Sequence, residues 1–159
     1  MSTTEISASV VMKLRDRTGL SMMECKKALV EAGGEMEKAE ELLRKKLKGK
    51  MDGRTDRPAG AGRIGVHINN TPGAGQFPFA AIVEVRAETD FTAINEKFVK
   101  MVDLVAEGVA SGVPGKHTAA SGQGAAALDE VRISTGENCS FARGLKLACG
   151  DGKSVFGAY

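Results

Sequence analysis

The chain has 159 residues, of which 42% are hydrophobic, and a formal net charge of +2 at pH 7. This composition indicates a globular protein, and it argues against a dedicated nucleic-acid binder because phosphate binding usually needs a clear cationic excess. No apolar run reaches the length of about 18 residues that a membrane-spanning helix needs, and the N-terminus lacks the basic and apolar regions of a secretory signal.

The composition changes abruptly along the chain. The first fifty residues contain 19 of the 42 charged side chains and no aromatic one, whereas all seven aromatic residues follow position 76. We therefore expect a three-helix bundle over residues 1–48, a polar, Gly-rich linker over 49–62, and an α+β core domain over 63–159.

Three short helices are predicted in the bundle. Ile6, Val10 and Leu14 recur at helical spacing and indicate the apolar stripe of the first helix. Ser21 and Glu24 form a capping box at the start of the second, in which Glu24 reaches back to the amide of Ser21. The third has acids early and bases late, as the helix dipole favours. Such a small bundle more often binds a partner than catalyses a reaction.

Two features of the bundle permit a functional interpretation. The basic stretch 44–50 is either a nucleic-acid contact or a solvated helix end. Met22 and Met23 are adjacent on a helix, so they cannot both face the core, and one should point outward beside the turn at residues 18–20. An exposed methionine offers a soft, adaptable contact to a partner.

The second unit is predicted to combine an antiparallel sheet with a packed helix. Alternating apolar residues and turn signals indicate strands, and apolar residues at offsets of three and four indicate the helix. The predicted elements are a hairpin of strands at 64–68 and 79–85, a helix at 94–109, a loop at 111–127, and strands at 139–147 and 154–159.

Phe91 lies in the turn between the second strand and the helix, directly behind Asp90. One interpretation is that Phe91 packs under the turn as a hydrophobic staple. The other is that the turn offers this aromatic side chain to a partner. The pattern of the sequence leaves both interpretations open.

The chain has no catalytic or metal-binding pattern. Cys25, Cys139 and Cys149 lack metal-ligand spacing, and the two histidines, His67 and His117, lie fifty residues apart. Three cysteines leave one unpaired, which is typical of a reduced cytoplasmic protein, although a hairpin can bring Cys139 opposite Cys149. We expect no enzyme activity, no metal and no cofactor.

Two stretches of the chain resemble signatures of the elongation factor Ts family. The first runs from Leu14 to Leu29, and its residues of interest are Thr18, Gly19, Leu20, Met22 and Met23. The second begins at Glu84, follows a predicted strand and precedes a predicted helix, and its residues of interest are Thr89, Asp90 and Phe91. Gly136-Glu137-Asn138 more weakly resembles the start of the family's C-terminal strands.

The resemblance implies a cytoplasmic translation elongation factor that acts as a guanine-nucleotide exchange factor for elongation factor Tu. It implies a ubiquitin-associated-like bundle that contacts the GTPase domain through Met22 and Met23. It also implies that Asp90 and Phe91 insert near the magnesium and phosphate site of the GTPase. A homodimer through the core is a further partner that the resemblance allows, whereas no membrane and no direct nucleic-acid partner are expected.

The chain resembles a short form with an abbreviated core, because only about two dozen residues separate Gly112 from Gly136. Thr92 stands where the family usually has an apolar residue. One alternative is a degenerate relative that binds elongation factor Tu without efficient exchange. Another is a ribosome- or RNA-associated binding module that uses the basic end of the bundle.

Overall fold

A computed structural model of the chain describes residues 6–71, 73–74, 76–151 and 153–159. The chain divides into two compact units, one ending at Thr55 and the other beginning at Asp56. Within the part of the chain that the structure describes, none of the helices combines the length and the apolar character needed to cross a membrane.

The first unit contains the three predicted helices, α1 (Ala8–Thr18), α2 (Met22–Glu31) and α3 (Met36–Asp52). Each helix turns an apolar stripe inward, because residues three and four positions apart share one face. The buried side chains of this core are Val11, Leu14, Cys25, Ala28, Leu29, Ala32, Ala39, Leu43, Leu47 and Met51.

The first helix differs from the prediction near its start. Ser7 is extended and α1 begins at Ala8, so Ile6 precedes the helix. Val11 and Leu14 are the buried residues of α1, whereas Val10 is only partly buried. Both valines lie within about one turn of Leu14, and the packing of the bundle selects Val11 rather than Val10.

The third helix continues through Asp52, four residues past its predicted end at 48. Met51 is 3% exposed and extends the stripe of Leu43 and Leu47 by one more turn, which explains why the helix does not stop earlier. The first residues of the segment 49–62 are therefore helical rather than extended linker.

The second unit is an α+β domain, and the predicted fold class is confirmed. In the described part of this unit the sheet has four strands, each antiparallel to its neighbours, in the order β1-β2-β4-β3. Its elements, in chain order, are β1 (Ala61–Asn69), β2 (Phe79–Ala87), α4 (Asp90–Ile94), α5 (Glu96–Ser111), β3 (Gly115–His117), α6 (Gly122–Thr135) and β4 (Ser140–Ala148).

Helix α5 packs on one face of the sheet, where it contacts β1, β2 and β4. Its apolar stripe meets the inward-facing residues of β2 in a single buried cluster. The largest buried side chains there are Phe98, Met101, Val83, Val85, Val102, Val105 and Val109. This arrangement leaves the opposite face of the sheet without a helix among the described residues.

The predicted helix over 94–109 is interrupted at its first turn. Asn95 is extended (φ −64°, ψ 136°) and caps α5 by accepting a hydrogen bond from the amide of Lys97 at 2.9 Å. Ile94 ends the separate short helix α4 and is 71% exposed, so the prediction that the long helix begins at Ile94 with its apolar stripe is wrong.

The segment 111–127, predicted to be a loop, contains β3 and the start of α6. Its Gly- and Ala-rich composition reflects close helix packing: a Cβ atom on Gly124 would lie 2.8 Å from the Cα atom of Val105 in α5. Small residues in α6 let α5 and α6 approach each other closely. The prediction of a loop was wrong because it treated these small residues as a sign that the segment has no buried contacts.

The predicted strand over 154–159 does not form. Strand β4 pairs with β2 along most of its length and with the short strand β3 at residues 144–146, and residues 154–159 join neither side. Instead, the side-chain amide of Asn70 donates to the carbonyl of Phe156 and accepts from its N–H, both at 2.9 Å. Phe156 is therefore held by the side chain of Asn70 and not by the hydrogen bonds of a neighbouring strand.

The three cysteines are free thiols, and Cys139 does not face Cys149. Cys139 precedes the nine-residue strand β4 and Cys149 follows it. At about 3.3 Å per residue the two lie roughly 30 Å apart, far beyond the reach of a disulfide.

Candidate functional site: two partner-binding surfaces

The turn between α1 and α2 is fixed by its own hydrogen bonds. Gly19 adopts a left-handed conformation (φ 71°), and its N–H donates to the carbonyl of Arg15 at 2.7 Å. Such a helix end favours glycine because a Cβ atom would be strained there. The hydroxyl of Thr18 donates to the carbonyl of Leu14 at 2.7 Å and accepts from the N–H of Leu20 at 3.4 Å. The turn is therefore well defined without a partner.

Ser21 caps the start of α2, as predicted, but the carboxylate of Glu24 bonds to a different group of Ser21 than expected. The hydroxyl of Ser21 accepts from the N–H of Glu24 at 3.3 Å and also donates to the carboxylate of Glu24 at 2.8 Å. Glu24 thus reaches back to the hydroxyl of Ser21 rather than to its amide, and one hydroxyl makes both hydrogen bonds.

Both methionines at the start of α2 are exposed. Met23 is 64% exposed and Met22 is 39% exposed. The buried residues of α2 begin only at Cys25, so Met22, one turn earlier, lies at the end of the apolar stripe where the core stops. We define the bundle surface as Thr18, Gly19, Leu20, Met22 and Met23.

The second candidate surface, the wedge segment, consists of Thr89, Asp90 and Phe91 between β2 and α5. Thr89 is the N-cap of α4, and its hydroxyl accepts from the N–H of Thr92 at 3.3 Å. The carboxylate of Asp90 accepts from the N–H of Phe91 at 2.9 Å. These bonds occupy the free amides at the start of α4, which stabilises this short helix.

The side chain of Phe91 is 79% exposed. The hydrophobic-staple interpretation, in which Phe91 packs under the turn, is therefore wrong. Thr92 and Ala93 are the buried residues of α4, while Phe91 and Ile94 point away from the core. The structure thus offers a large apolar side chain at the tip of a capped turn.

Two residues that the sequence did not assign to the site lie directly behind the wedge segment. The carboxylate of Glu137 accepts from the hydroxyl of Thr89 at 2.7 Å and from its backbone N–H at 3.2 Å. The N–H of Asn138 donates to the carboxylate of Glu88 at 2.7 Å. The weak match at 136–138 was the available signal, but nothing in it indicates a contact with residues almost fifty positions earlier.

Asn138 and Glu88 also contact Arg57, which precedes β1. The side-chain amide of Asn138, which is 5% exposed, donates to the carbonyl of Arg57 at 2.7 Å. The guanidinium of Arg57 lies 3.6 Å from the carboxylate of Glu88. Next to Asn138, burial raises the pKa of the Cys139 thiol to about 11, so this side chain is a neutral part of the core.

The residues behind the wedge segment make hydrogen bonds that hold the backbone around it. The carboxylates of Glu88 and Glu137 accept hydrogen bonds from the backbone and from the hydroxyl of Thr89, and Glu88 also lies near the guanidinium of Arg57. Within the described ranges, no group of three His, Cys, Asp or Glu residues is placed to hold a metal ion. The wedge segment and the bundle surface belong to different units, and each is defined by exposed apolar side chains on a rigid turn.

Comparisons with known proteins identify relatives of the chain. No protein-family model matches the sequence. The chain is 42% identical over 161 residues to elongation factor Ts of Streptococcus mutans serotype c, a match that covers 97% of this chain and 44% of that protein. It is 41% identical over 162 residues to elongation factor Ts of Streptococcus uberis, with 98% of this chain and 44% of the relative covered. The chain is therefore homologous to elongation factor Ts along nearly its whole length, and it spans less than half the length of these relatives.

Proposed function

We propose that the chain acts in translation elongation as a guanine-nucleotide exchange factor, which promotes the release of GDP from elongation factor Tu. In this proposal Asp90 and Phe91 enter the GTPase near its magnesium and phosphate site. The observation that carries the proposal is the 79% exposure of Phe91 within a capped turn, at the position where the family motif requires it. Exposed aromatic side chains on rigid elements are typical anchors of protein interfaces.

The physical basis of exchange is linkage between two binding equilibria. A factor that binds the nucleotide-free GTPase more tightly than the GDP-bound form must weaken GDP binding by the same free energy. Burial of a side chain such as Phe91 contributes about 1.5–3 kcal/mol. That free energy corresponds to about a ten- to hundredfold change in nucleotide affinity. Asp90, the backbone beside it and the bundle surface supply the remainder.

The bundle surface is proposed to contact the GTPase domain of elongation factor Tu. Its support is the exposure of both Met22 and Met23 beside a turn that is already ordered by Gly19. Methionine side chains adapt to the shape of a partner, and a preformed turn reduces the entropy lost on binding.

The proposed activity breaks and forms no covalent bond, so it needs no catalytic side chain, metal or cofactor of this chain. We place it in the cytoplasm, where translation occurs, without a membrane partner and without a direct nucleic-acid contact. Exchange requires only that the protein bind two states of its partner with different affinities.

The decisive experiment is stopped-flow release of a fluorescent GDP from elongation factor Tu with and without the chain. Acceleration that rises with the concentration of the chain supports the proposal. Complex formation without acceleration identifies the degenerate relative that binds without exchange. Salt-sensitive RNA binding with no effect on GDP release favours the ribosome- or RNA-associated module.

A homodimer through the core is a second proposal, supported by the uncovered face of the sheet. Ile64, Val66, Ile82 and Leu147 are each about half exposed on this face. Val66 pairs directly with Ile82 across β1 and β2, so the exposed side chains form one patch rather than isolated positions. A contiguous apolar patch on a sheet is typical of an interface with another protein surface.

A further inference from the structure

The wedge segment is supported from behind by a part of the chain far from it in sequence. Strands β2 and β4 are antiparallel neighbours, and Arg86 near the end of β2 pairs with Ser140 at the start of β4. The residues that follow β2 therefore lie beside the residues that precede β4. This pairing places Glu137 next to Thr89, 48 positions apart.

Glu137 holds Thr89 by two hydrogen bonds, one to each of its carboxylate oxygens. One oxygen accepts from the hydroxyl of Thr89 at 2.7 Å and the other from its backbone N–H at 3.2 Å. The same hydroxyl accepts from the N–H of Thr92 at 3.3 Å. One carboxylate thus fixes the residue that caps α4, and the direction of that cap determines where Phe91 points.

Asn138, the residue after Glu137, is itself held by two hydrogen bonds. Asn138 donates its backbone N–H to Glu88 at 2.7 Å and its side-chain amide to the carbonyl of Arg57 at 2.7 Å. Asn138 is buried, so its amide is satisfied within the protein rather than by solvent. Glu137 therefore projects from a backbone that is itself held in place.

We propose that Glu137 is a positioning residue for nucleotide exchange: it holds α4 so that Phe91 is presented before the GTPase arrives. The inference rests on the proposed function. A helix of five residues is too short to be stable alone, so α4 depends on its cap and on the residue that holds the cap. Without Glu137, binding must also order the turn, which raises the entropic cost of the complex.

The test is a double-mutant cycle between Glu137→Ala and Phe91→Ala, read by GDP release from elongation factor Tu. We expect Glu137→Ala to lower the accelerated rate by about three- to tenfold, the order of the net contribution of one hydrogen bond, because water replaces part of what the turn loses. In the Phe91→Ala background the same change should lower the rate no further, because it acts through Phe91. Glu107→Ala, which removes an exposed carboxylate from α5, should leave the rate unchanged.

A second readout needs no partner. Amide hydrogen exchange at Thr89 and Thr92 should accelerate in Glu137→Ala, while exchange in the core strands stays unchanged. Glu137→Gln keeps one oxygen acceptor and should restore part of the protection and part of the rate. If Glu137→Ala does not fold, Glu137→Gln is used in its place in the same cycle.

Three results would overturn the inference, and each is distinct. Unchanged protection of Thr89 and Thr92 shows that Glu137 does not hold the turn. Equal losses in the wild-type and Phe91→Ala backgrounds show a general structural role, with the exchange function intact. No acceleration by the wild-type chain removes the proposed function itself, and the positioning role falls with it.

Discussion

Phe91 and Thr92 are adjacent in the chain and lie in opposite environments: Phe91 is 79% exposed and Thr92 is 8% exposed. The small polar residue is buried at the base of α4, where its N–H donates to the cap, and the large apolar residue points outward. Burial of the phenyl ring and exposure of the hydroxyl would be the usual order. The reversal shows that the ring is not part of the core, and it supports the proposed role of Phe91 as a binding group.

Phe91→Ala should therefore leave the fold intact and slow the release of GDP from elongation factor Tu. We expect the accelerated rate to fall by about tenfold or more, since the ring contributes about 1.5–3 kcal/mol when buried. Stopped-flow release measures the rate, and circular dichroism checks the fold. Phe77→Ala removes a half-exposed phenylalanine elsewhere in the same domain and serves as the control. Equal rates for wild type and Phe91→Ala would contradict the assigned role.

Met23→Glu should weaken binding to elongation factor Tu without unfolding the bundle. Met23 is 64% exposed, so a charge there is tolerated in the free protein but is costly in an apolar contact. We expect at least about a tenfold loss of affinity by titration calorimetry. Met12→Glu places the same charge at an exposed position of α1 and should bind normally. If both variants bind like wild type, Met23 is not part of the interface.

Ile82→Lys should abolish self-association if the uncovered sheet face joins two copies. The side chain lies on that face between Val66 and Leu145, its partners on the adjacent strands. Sedimentation velocity over a range of concentrations is expected to show a dimer for wild type and a monomer for the variant. Val113→Lys, at an exposed loop position, is the control and should remain dimeric. A wild-type chain that stays monomeric at every concentration refutes the proposal.

The carboxylate of Glu84 should stabilise the domain in a pH-dependent way. It accepts from Arg86 at 2.7 Å and from Arg143 at 2.6 Å, and these hydrogen bonds hold the pKa of Glu84 below its ordinary value of 4.5. Since the pKa is lower in the folded state, the stabilisation is present above 4.5 and is lost as the pH falls through the folded value.

Thermal unfolding of wild type and Glu84→Gln from about pH 3 to pH 7 tests this dependence. We expect wild type to melt at the higher temperature near neutral pH and the difference to shrink below the ordinary glutamate value. A difference that does not change with pH would exclude a contribution from the ionised carboxylate.

Cys149 should react with iodoacetamide in the native protein, while Cys139 should be protected. Cys149 is partly exposed, whereas Cys139 is 1% exposed and its pKa is raised to about 11 by burial. At pH 8 on the order of one Cys139 in a thousand is the reactive thiolate. Peptide mass spectrometry locates the label, and denatured protein provides the fully labelled control. Equal labelling of both cysteines would show that the buried environment of Cys139 is wrong.

Local patterns predicted most of the elements, and the family resemblance indicated both candidate surfaces. The Ser21 cap and the left-handed Gly19 depend on residues within a few positions, so the sequence could indicate the turn that carries Met22 and Met23. The position of Phe91 after a strand and before a helix was also visible. The exposure of Phe91 could not be predicted, because a hydrophobic staple and a binding group have the same local sequence pattern.

The errors arise where distant residues decide the structure. The start of α6, residues 122–127, was taken for a loop because its contact with α5 depends on the absence of a side chain at Gly124, not on an apolar stripe. The role of Glu137 was missed because it depends on the pairing of β2 with β4. Ile94 was assigned to the core because Asn95 was not recognised as the cap that starts α5. Each of these contacts is specified by the assembled domain and not by neighbours in sequence.

The pairing of β2 with β4 brings together two segments that are distant in sequence. Glu88-Thr89 contacts Glu137-Asn138 because β2 and β4 run side by side. The chain between the two strands passes through α5, β3 and α6 and returns to the same end of the sheet. The contact between these two pairs is therefore set by the pairing of the strands and not by the number of residues between them. A short connection between Gly112 and Gly136 is compatible with this pairing, because β2 and β4 lie side by side along most of their length.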